Sequence, residues 1–175
     1  DAGALVLNRQ WHVLEEIVGV SLHAARRELA NHDVTVKIPS DFPLLNIDGF
    51  LIEQLLVNLL ENASRYTPAG SEIEITAFSK EGRVEIQVAD NGPGLPPGSE
   101  DKLFDKFFRG SSVAPDGRRG VGLGLAICQA IVEAHGGSIT ASNRPQGGAE
   151  FTILLPCTEM PPRVELESTT SLSNA

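Results

Sequence analysis

The residues best able to do chemistry are three glycines at alternating positions, Gly120, Gly122 and Gly124, just before an apolar run over residues 125–132. Glycine has no Cβ, so its backbone N–H group can approach a ligand closely. The first turn of a helix leaves N–H groups without partners and carries a positive partial charge. A glycine string that opens a helix therefore predicts an anion site, most often one for phosphate.

Two other interpretations of the glycine string are possible. The glycines could simply let the helix pack tightly, and this alternative stays open because glycine-rich strings are weak motifs. A dinucleotide site is excluded, since that fingerprint requires a strand immediately before the glycines. Residues 110–119 are rich in Gly, Ser, Pro and Arg and predict a loop instead.

A stripe of polar residues runs along a second predicted helix, over residues 49–66. Its members recur at spacings of three and four, which places them on one helix face: Gln54, Asn58, Glu61, Asn62 and Arg65. Asparagine is a mediocre helix former, so two of them one turn apart indicate that their amides are used. An ordinary solvated face with two indifferent asparagines is the alternative.

Asp90 is a third candidate, because it stands where an alternating strand over residues 84–88 opens into the glycine-rich loop 90–94. This composition suits an ordinary turn. An acidic side chain at such a point also contacts ligands in many folds, since binding residues concentrate on loops that a rigid scaffold positions.

Aromatic residues are scarce, and Phe104, Phe107 and Phe108 cluster within residues 103–109. Such a cluster forms a small core beneath a loop. It also anchors the polar loop 110–119, whose one large apolar residue is Val113. A long loop between an aromatic anchor and a phosphate-binding glycine string is typical of a lid.

The composition bounds the class of protein. The 175 residues carry 14 basic and 23 acidic side chains, a net charge of −9, and suffice for one domain with a buried core. This balance argues against nucleic acid or an anionic membrane as the partner. No run is long enough to span a membrane and no signal peptide is visible, which predicts a soluble, cytoplasmic domain.

Hydrophobic periodicity predicts the elements that must position these residues. A helix is predicted over residues 5–29, strands over 34–38 and 44–47, and the helix with the polar stripe over 49–66, with Asp48 as its N-cap. Residues 72–78 and 84–88 are predicted to form one hairpin, and residues 138–142 and 149–155 another.

Four of these stretches occur in a particular order and spacing: residues 58–63, the loop 90–94, Phe104 with Phe107 and Phe108, and residues 120–124. In this arrangement they resemble the N, G1, F and G2 boxes of the catalytic ATP-binding domain (HATPase, GHKL-type) of bacterial sensor histidine kinases. The resemblance covers residues 33–156. Short stretches such as 90–97 and 134–137 are most similar to the potassium-responsive members of that family.

The resemblance implies a fold. It is an α/β (α+β) two-layer sandwich of the Bergerat type, in which a mixed, mainly antiparallel sheet carries helices on one face and ATP lies under a lid. The chain is divided into the end of a dimerisation helix with its linker (1–32), the catalytic ATP-binding domain (33–157) and a tail predicted to be disordered (158–175).

The resemblance also implies roles for individual residues at the adenine end of the site. Tyr66 stacks beside the base, and Asp90 accepts a hydrogen bond from the adenine amino group. Gly92 and Gly94 let the backbone come close, and Thr152 approaches the adenine from the last strand.

At the phosphate end, Asn62 is implied to ligate Mg²⁺ through its amide oxygen, with Asn58 facing the metal and phosphates. Arg65 reaches phosphate oxygens, and Arg109 assists phosphoryl transfer, in which catalysis is mostly positioning and charge stabilisation. The phosphate cradle is the glycine string with its intervening leucine: Gly120, Gly122, Leu123 and Gly124.

The implied function is a histidine kinase that uses ATP and Mg²⁺. It transfers the γ-phosphate to a histidine on a dimerisation domain of the same protein, for relay to a response regulator; the parent is a homodimer in the bacterial inner membrane. The acceptor pattern, a histidine followed by an acidic residue and with proline at the fifth position, fits none of the histidines: His12, His23, His32 and His135. The chain is therefore expected to bind ATP without phosphorylating itself.

Two rival functions remain. ATPases of the same superfamily place a general-base carboxylate four residues before the metal asparagine, where this chain has Asn58. An amide cannot take a proton from water, and Glu61 lies about 100° round the helix from Asn62, so negligible hydrolysis is predicted. A module that only binds or senses nucleotide is the third class, and the intact boxes count against it.

Overall fold

Ten elements make up the part of the chain that the computed structural model describes, residues 5–105, 124–158 and 160–162. In order they are β1 (Gln10–His12), α1 (Leu14–Ala24), β2 (Asp33–Lys37), β3 (Leu45–Ile47), α2 (Gly49–Arg65), β4 (Glu72–Lys80), β5 (Arg83–Asp90), α3 (Gly124–Ala134), β6 (Ser138–Asn143) and β7 (Ala149–Pro156). The elements predicted from periodicity are present, apart from changes in the N-terminal segment.

Five strands form the main sheet, in the order β2-β4-β5-β7-β6. β2 runs parallel to β4, and the other pairings are antiparallel. A parallel pair requires a crossover connection, and α2 lies in the stretch between β2 and β4. The prediction of a mixed, mainly antiparallel sheet is confirmed.

One face of this sheet carries the helices, because side chains alternate between the two faces of a strand. Ile75, Ile86 and Ile153 are fully buried on the inner face, in one core with the apolar residues of α2 and α3. Gln87 and Thr152 lie on the opposite face, in register with each other. The sheet and the helices therefore form the predicted two-layer sandwich.

A broad apolar face holds α2 against the sheet. Its members are buried: Ile52, Leu55, Leu56, Leu59, Leu60 and Ala63. Each large aliphatic side chain buried in this way contributes about 1.5–3 kcal/mol. The helix begins at the predicted N-cap, Asp48, whose Oδ1 accepts a hydrogen bond from the Leu51 N–H at 3.1 Å.

Asp48 also joins three segments of the chain. Its Oδ2 accepts a hydrogen bond from the Asn8 N–H at 2.9 Å, and its own N–H donates to Nε2 of His135 at 3.1 Å. Burial acts to raise the pKa of the Asp48 carboxyl, but the N–H groups of Asn8 and Leu51 hold it below its ordinary value. The start of α2 is thus tied to the N-terminal segment and to the end of α3.

His135, directly after α3, is 2% exposed. Its Nδ1–H donates to the carbonyl oxygen of Ile131 at 2.8 Å, which leaves Nε2 as the acceptor for the Asp48 N–H. This pair of bonds requires the neutral imidazole. Burial lowers the pKa of His135 below its ordinary value.

The N-terminal helix is shorter than the predicted residues 5–29. Residues 10–12 form β1 instead, antiparallel to β3 with Trp11 opposite Asn46, because β3 offers backbone groups that an extended segment can pair with. α1 begins only at Leu14 and ends at Ala24. Its buried apolar residues Leu14, Ile17 and Val18 belong to the same core as α2.

Some predictions concern residues outside the described ranges: the lid over 110–119, its aromatic residues Phe107 and Phe108, and most of the tail 158–175. Phe104, from the same aromatic cluster, is buried and meets Phe151 edge to face with 6.3 Å between ring centroids. None of the helices described here is long and apolar enough to cross a membrane.

We expect the free energy of unfolding to decrease as the pH falls below about 6.5, the ordinary pKa of histidine. His135 stays neutral when folded but takes up a proton when unfolded, so its contribution is complete above that pH and is lost on acidification. Denaturant titrations at about pH 7.5 and about pH 5.5 measure the loss.

The loss should be smaller in His135→Gln, which has no titrating ring. It should be unchanged in His23→Gln, because His23 is an exposed histidine of α1. Equal losses in all three proteins would contradict the assignment to His135.

Candidate functional site

Asp90 is the last residue of β5. It lies on the helix-bearing face of the sheet, because it continues the alternation of the buried residues Val84, Ile86 and Val88. Its side chain is 7% exposed. Oδ1 accepts two backbone hydrogen bonds, from the Gly92 N–H at 2.9 Å and the Ala149 N–H at 3.2 Å. Oδ2 accepts none from any described residue. The carboxylate is therefore fixed, with one oxygen left for a donor on a ligand.

The end of α2 lies directly beside the loop that follows Asp90. A Cβ at Gly92 would lie 2.5 Å from Cγ2 of Thr67, so glycine is required there for packing. The Thr67 hydroxyl donates to the carbonyl oxygen of Ala63 at 2.7 Å and accepts from Nε2 of His32 at 2.8 Å. These contacts bring the last turn of α2, with Arg65 and Tyr66, next to the acidic loop.

Asn58 and Asn62 are half-buried on α2, one turn apart as predicted. The side chains of Asn62 and Arg65 form no hydrogen bond or ion pair with other described residues. Amide oxygens are hard ligands that suit Mg²⁺, and a guanidinium suits phosphate oxygens. Within the described ranges, no group of three or more His, Cys, Asp and Glu side chains could hold a metal ion.

The packing of α3 brings its N-terminus to these amides. His135, after α3, contacts Asp48 at the start of α2, and Cys128 Sγ lies 3.8 Å from the carbonyl oxygen of Leu55, further along α2. The two helices are therefore antiparallel. Gly124, the first residue of α3, lies one turn before Cys128. In the antiparallel arrangement it is therefore level with Leu59 of α2, in the turn between Asn58 and Asn62.

Cys128 is a buried neutral group in this contact. Burial raises the pKa of its thiol to about 12, against a lowering effect of a hydrogen bond from the Asn58 side chain. The thiol therefore stays protonated at neutral pH and is no nucleophile. Cys128 is a small residue of the buried core.

The structure does not bring Thr152 to Asp90. Thr152 alternates with the buried Phe151 and Ile153 and so lies on the outer face of the sheet. Ala149, three residues earlier and on the inner face, is the β7 residue whose N–H reaches Asp90. The alternation of apolar residues in β7 was the signal that could have shown this, because an odd separation along a strand reverses the face.

Four predicted residues lie outside the described ranges: Arg109, Gly120, Gly122 and Leu123. Gly124, the last of the glycine string, is described and is the first residue of α3. Gly94 is described as well. It has a positive φ of 85°, and a Cβ there would lie 2.6 Å from Oδ1 of Asn143.

Two chemically different ends follow from this geometry. At one end, two amides, a guanidinium and a helix N-terminus suit a metal–phosphate group. At the other, a fixed carboxylate with a free oxygen suits an amino group. Fold and site together define an α/β sandwich of the kind that binds a nucleotide between helix and loop.

Comparison with known families supports this class. The family described as "Histidine kinase-, DNA gyrase B-, and HSP90-like ATPase" (HATPase_c) matches residues 47–159. The chain belongs to this family and is a catalytic domain of the sensor histidine kinase type.

Sensor kinases are also the relatives found by sequence. The sensor protein KdpD of Escherichia coli is 48% identical over 157 residues, and that of Clostridium acetobutylicum is 42% identical over 156 residues. Each match covers 89% of this chain but 17% of the relative. The predicted similarity to this kind of sensor kinase is confirmed.

Solved structures of histidine kinases have the same fold. The mycobacterial sensor histidine kinase MprB superposes with a TM-score of 0.75 at 26% identity, covering 86% of this chain and 100% of that one. ShkA in complex with AMPPNP gives a TM-score of 0.77 at 28% identity, covering 89% and 32%. ThkA in complex with the response regulator TrrA gives 0.71 at 27% identity, covering 86% and 42%.

We expect Gly92→Ala to destabilise the domain by about 1–3 kcal/mol, because the new methyl group overlaps Thr67 Cγ2. Adding Thr67→Ser should recover part of the loss, since serine keeps the hydroxyl and removes that methyl group. Denaturant unfolding of the three proteins measures both effects.

Gly19→Ala is the matched control. Gly19 is an exposed position of α1 with nothing within 4 Å of a Cβ, so this change should stabilise the domain by about 0.5–1 kcal/mol. A loss at Gly92 that Thr67→Ser leaves untouched would show that the Thr67 contact is not its cause.

Proposed function

We propose that this domain binds ATP with Mg²⁺ and transfers the γ-phosphate to a histidine on a dimerisation domain of the same protein. The phosphoryl group then passes to a response regulator. The family and the sensor-kinase relatives support this proposal. Two similar kinases add support: ShkA was solved in complex with AMPPNP, and ThkA in complex with the response regulator TrrA.

At the adenine end, Asp90 accepts a hydrogen bond from the amino group of the base through Oδ2. The two N–H groups on Oδ1 support this role, because they leave the other oxygen to the ligand. Tyr66, at the end of α2, stacks beside the base. Gly92 and Gly94 keep the loop free of side chains on its approach to the ligand.

At the phosphate end, Asn62 holds Mg²⁺ through its amide oxygen, and Asn58 faces the same group. A Mg²⁺ ion held there would supply charge neutralisation on the phosphates. Arg65 and the N–H groups of Gly120, Gly122, Leu123 and Gly124 bind phosphate oxygens, and Arg109 stabilises the transferred phosphoryl group. The half-buried amide of Asn62, which has no partner among the described residues, fits a metal ion that prefers oxygen ligands.

The observation that carries this proposal is the meeting of three elements at one edge of the sheet. The Thr67 contact with Gly92 joins α2 to the Asp90 loop, and the antiparallel packing of α3 directs Gly124 toward Asn58 and Asn62. One nucleotide can span both ends only because these elements converge.

A kinase fits the site better than a hydrolase. The position one turn before Asn62 holds Asn58, and an amide has no basic atom that can take a proton from water. Catalysis here is therefore positioning and charge stabilisation, which serves transfer to a supplied acceptor.

The acceptor histidine belongs to another part of the parent protein. His135 is buried with both ring nitrogens engaged, and none of the other histidines has the acceptor pattern. We propose that residues 1–32, whose β1 and α1 pack on this domain, lead to it from the dimerisation domain of a homodimeric parent. The domain then faces the cytoplasm, with the parent in the bacterial inner membrane.

A module that binds nucleotide without transferring phosphate is the second candidate. The lack of the acceptor pattern at the histidines of this chain is compatible with it. Transfer to an added acceptor domain distinguishes the two.

We expect calorimetric titration of ATP to show binding that strengthens with Mg²⁺ and weakens about tenfold to hundredfold in Asp90→Asn. The amide nitrogen would face the amino group of the base, so a donor would meet a donor. Asp41→Asn, at an exposed aspartate, is the control. Undiminished binding by Asp90→Asn would exclude Asp90 from base recognition.

We expect negligible phosphate release when the domain is incubated with ATP and Mg²⁺, because no general base stands at residue 58. Labelled γ-phosphate should appear on a separately supplied dimerisation domain that carries its acceptor histidine. Appreciable release by the domain alone would favour the ATPase, and binding without transfer would favour the regulatory module.

A further inference from the structure

The turn between β6 and β7 packs against the loop that follows Asp90. We define the β6–β7 turn as residues 143–149, from the last residue of β6 to the first of β7. None of the four sequence boxes includes its first two residues, Asn143 and Arg144. Their side chains nevertheless bind the backbone of the Asp90 loop.

Asn143 holds the far end of that loop. Its Oδ1 accepts a hydrogen bond from the Leu95 N–H at 2.7 Å, and its Nδ2 donates to the Leu95 carbonyl oxygen at 3.3 Å. The amide thus pairs with both backbone groups of one residue, as a neighbouring strand would. The Leu95 side chain packs against the core, so Leu95 is held from two sides.

Arg144 holds the near end. Its Nη1 donates to the carbonyl oxygen of Asp90 at 3.1 Å. With the Gln146 amide oriented so that its oxygen faces the guanidinium, this oxygen accepts from Arg144 Nε at 3.2 Å and Nη2 at 2.8 Å. The guanidinium is therefore oriented by its own turn.

The fit between turn and loop is close. A Cβ at Gly94 would lie 2.6 Å from Asn143 Oδ1, and one at Gly148 would overlap the Asp90 carbonyl oxygen. The Ala149 N–H at the end of the turn supplies one of the two bonds to Asp90 Oδ1. The turn thereby sets the position of Asp90 in both backbone and side chain.

We propose that Asn143 and Arg144 are positioning residues for base selectivity. They act through Asp90 and touch no substrate: by holding Asp90 and Leu95, they keep Asp90 Oδ2 where the amino group of adenine meets it. This inference rests on the proposed ATP-binding function. It assigns selectivity to a turn that precedes β7 rather than to the strand residue Thr152.

The test compares ATP with purine riboside triphosphate. This analogue lacks the amino group from which Asp90 is proposed to accept a hydrogen bond. Calorimetry with Mg²⁺ should show that Asn143→Ala binds ATP about tenfold more weakly. Its affinity for the analogue should be unchanged, so the ratio of the two affinities falls. Arg144→Ala should act in the same direction, and Arg144→Lys, which keeps a donor, should restore the ratio.

Ser142→Ala is the matched control, because Ser142 is exposed beside Asn143 and faces the other way on β6. If Asn143→Ala does not fold, Asn143→Asp keeps the acceptor for the Leu95 N–H and removes the donor. An unchanged affinity ratio, or equal losses for both ligands, would overturn the proposal. Failure of the unsubstituted domain to bind ATP would instead count against the proposed function.

Discussion

The burial of one face of α2 is the constraint on which the rest of the structure depends. Six apolar residues pack this helix against the sheet and the neighbouring helices, so its polar stripe must lie away from that buried face. The stripe keeps its direction because both ends of the helix are tied, Asp48 to His135 at the start and Thr67 to the Asp90 loop at the end. The side chains that we propose to bind phosphate are thus positioned by hydrophobic burial far larger in energy than any single polar contact.

The side of the site that we propose for adenine is built differently. Few apolar side chains hold the loop after Asp90, and its position depends on backbone hydrogen bonds and on close contacts that leave no room for a Cβ at Gly92, Gly94 or Gly148. Such contacts are directional and of short range. On the function we propose, they suit a carboxylate that meets one group of a base, whereas the half-buried amides of α2 suit a metal ion and phosphates, which need charge and less precise geometry.

Membership of the HATPase_c family does not decide between phosphoryl transfer and ATP hydrolysis, because a fold can host several functions. Individual residues decide between them. Here the amide at Asn58 stands where a hydrolase needs a base. The chain spans 17% of the length of the KdpD sequences it matches. On the function we propose, this domain supplies a nucleotide with its terminal phosphate exposed, and a separate domain supplies the nucleophile.

Most of the sandwich could be predicted from local signals. The alternation in β4, β5 and β7, the period of α2 and its cap at Asp48 act within a few residues, so they are readable without knowledge of the fold. The helix predicted over residues 5–29 was wrong at both ends, since α1 spans only Leu14–Ala24. At its start this is because β1 forms where β3 is available as a partner.

The order of the boxes and the types of their residues were determined by the sequence alone, and they were enough to identify the family. Which side chains meet was decided by the tertiary structure. Ala149 rather than Thr152 reaches Asp90, and Asn143 reaches Leu95 from 48 residues away. The physical reason is that these contacts join strands and turns far apart along the chain, and strand pairing sets which residues face each other and on which side of the sheet.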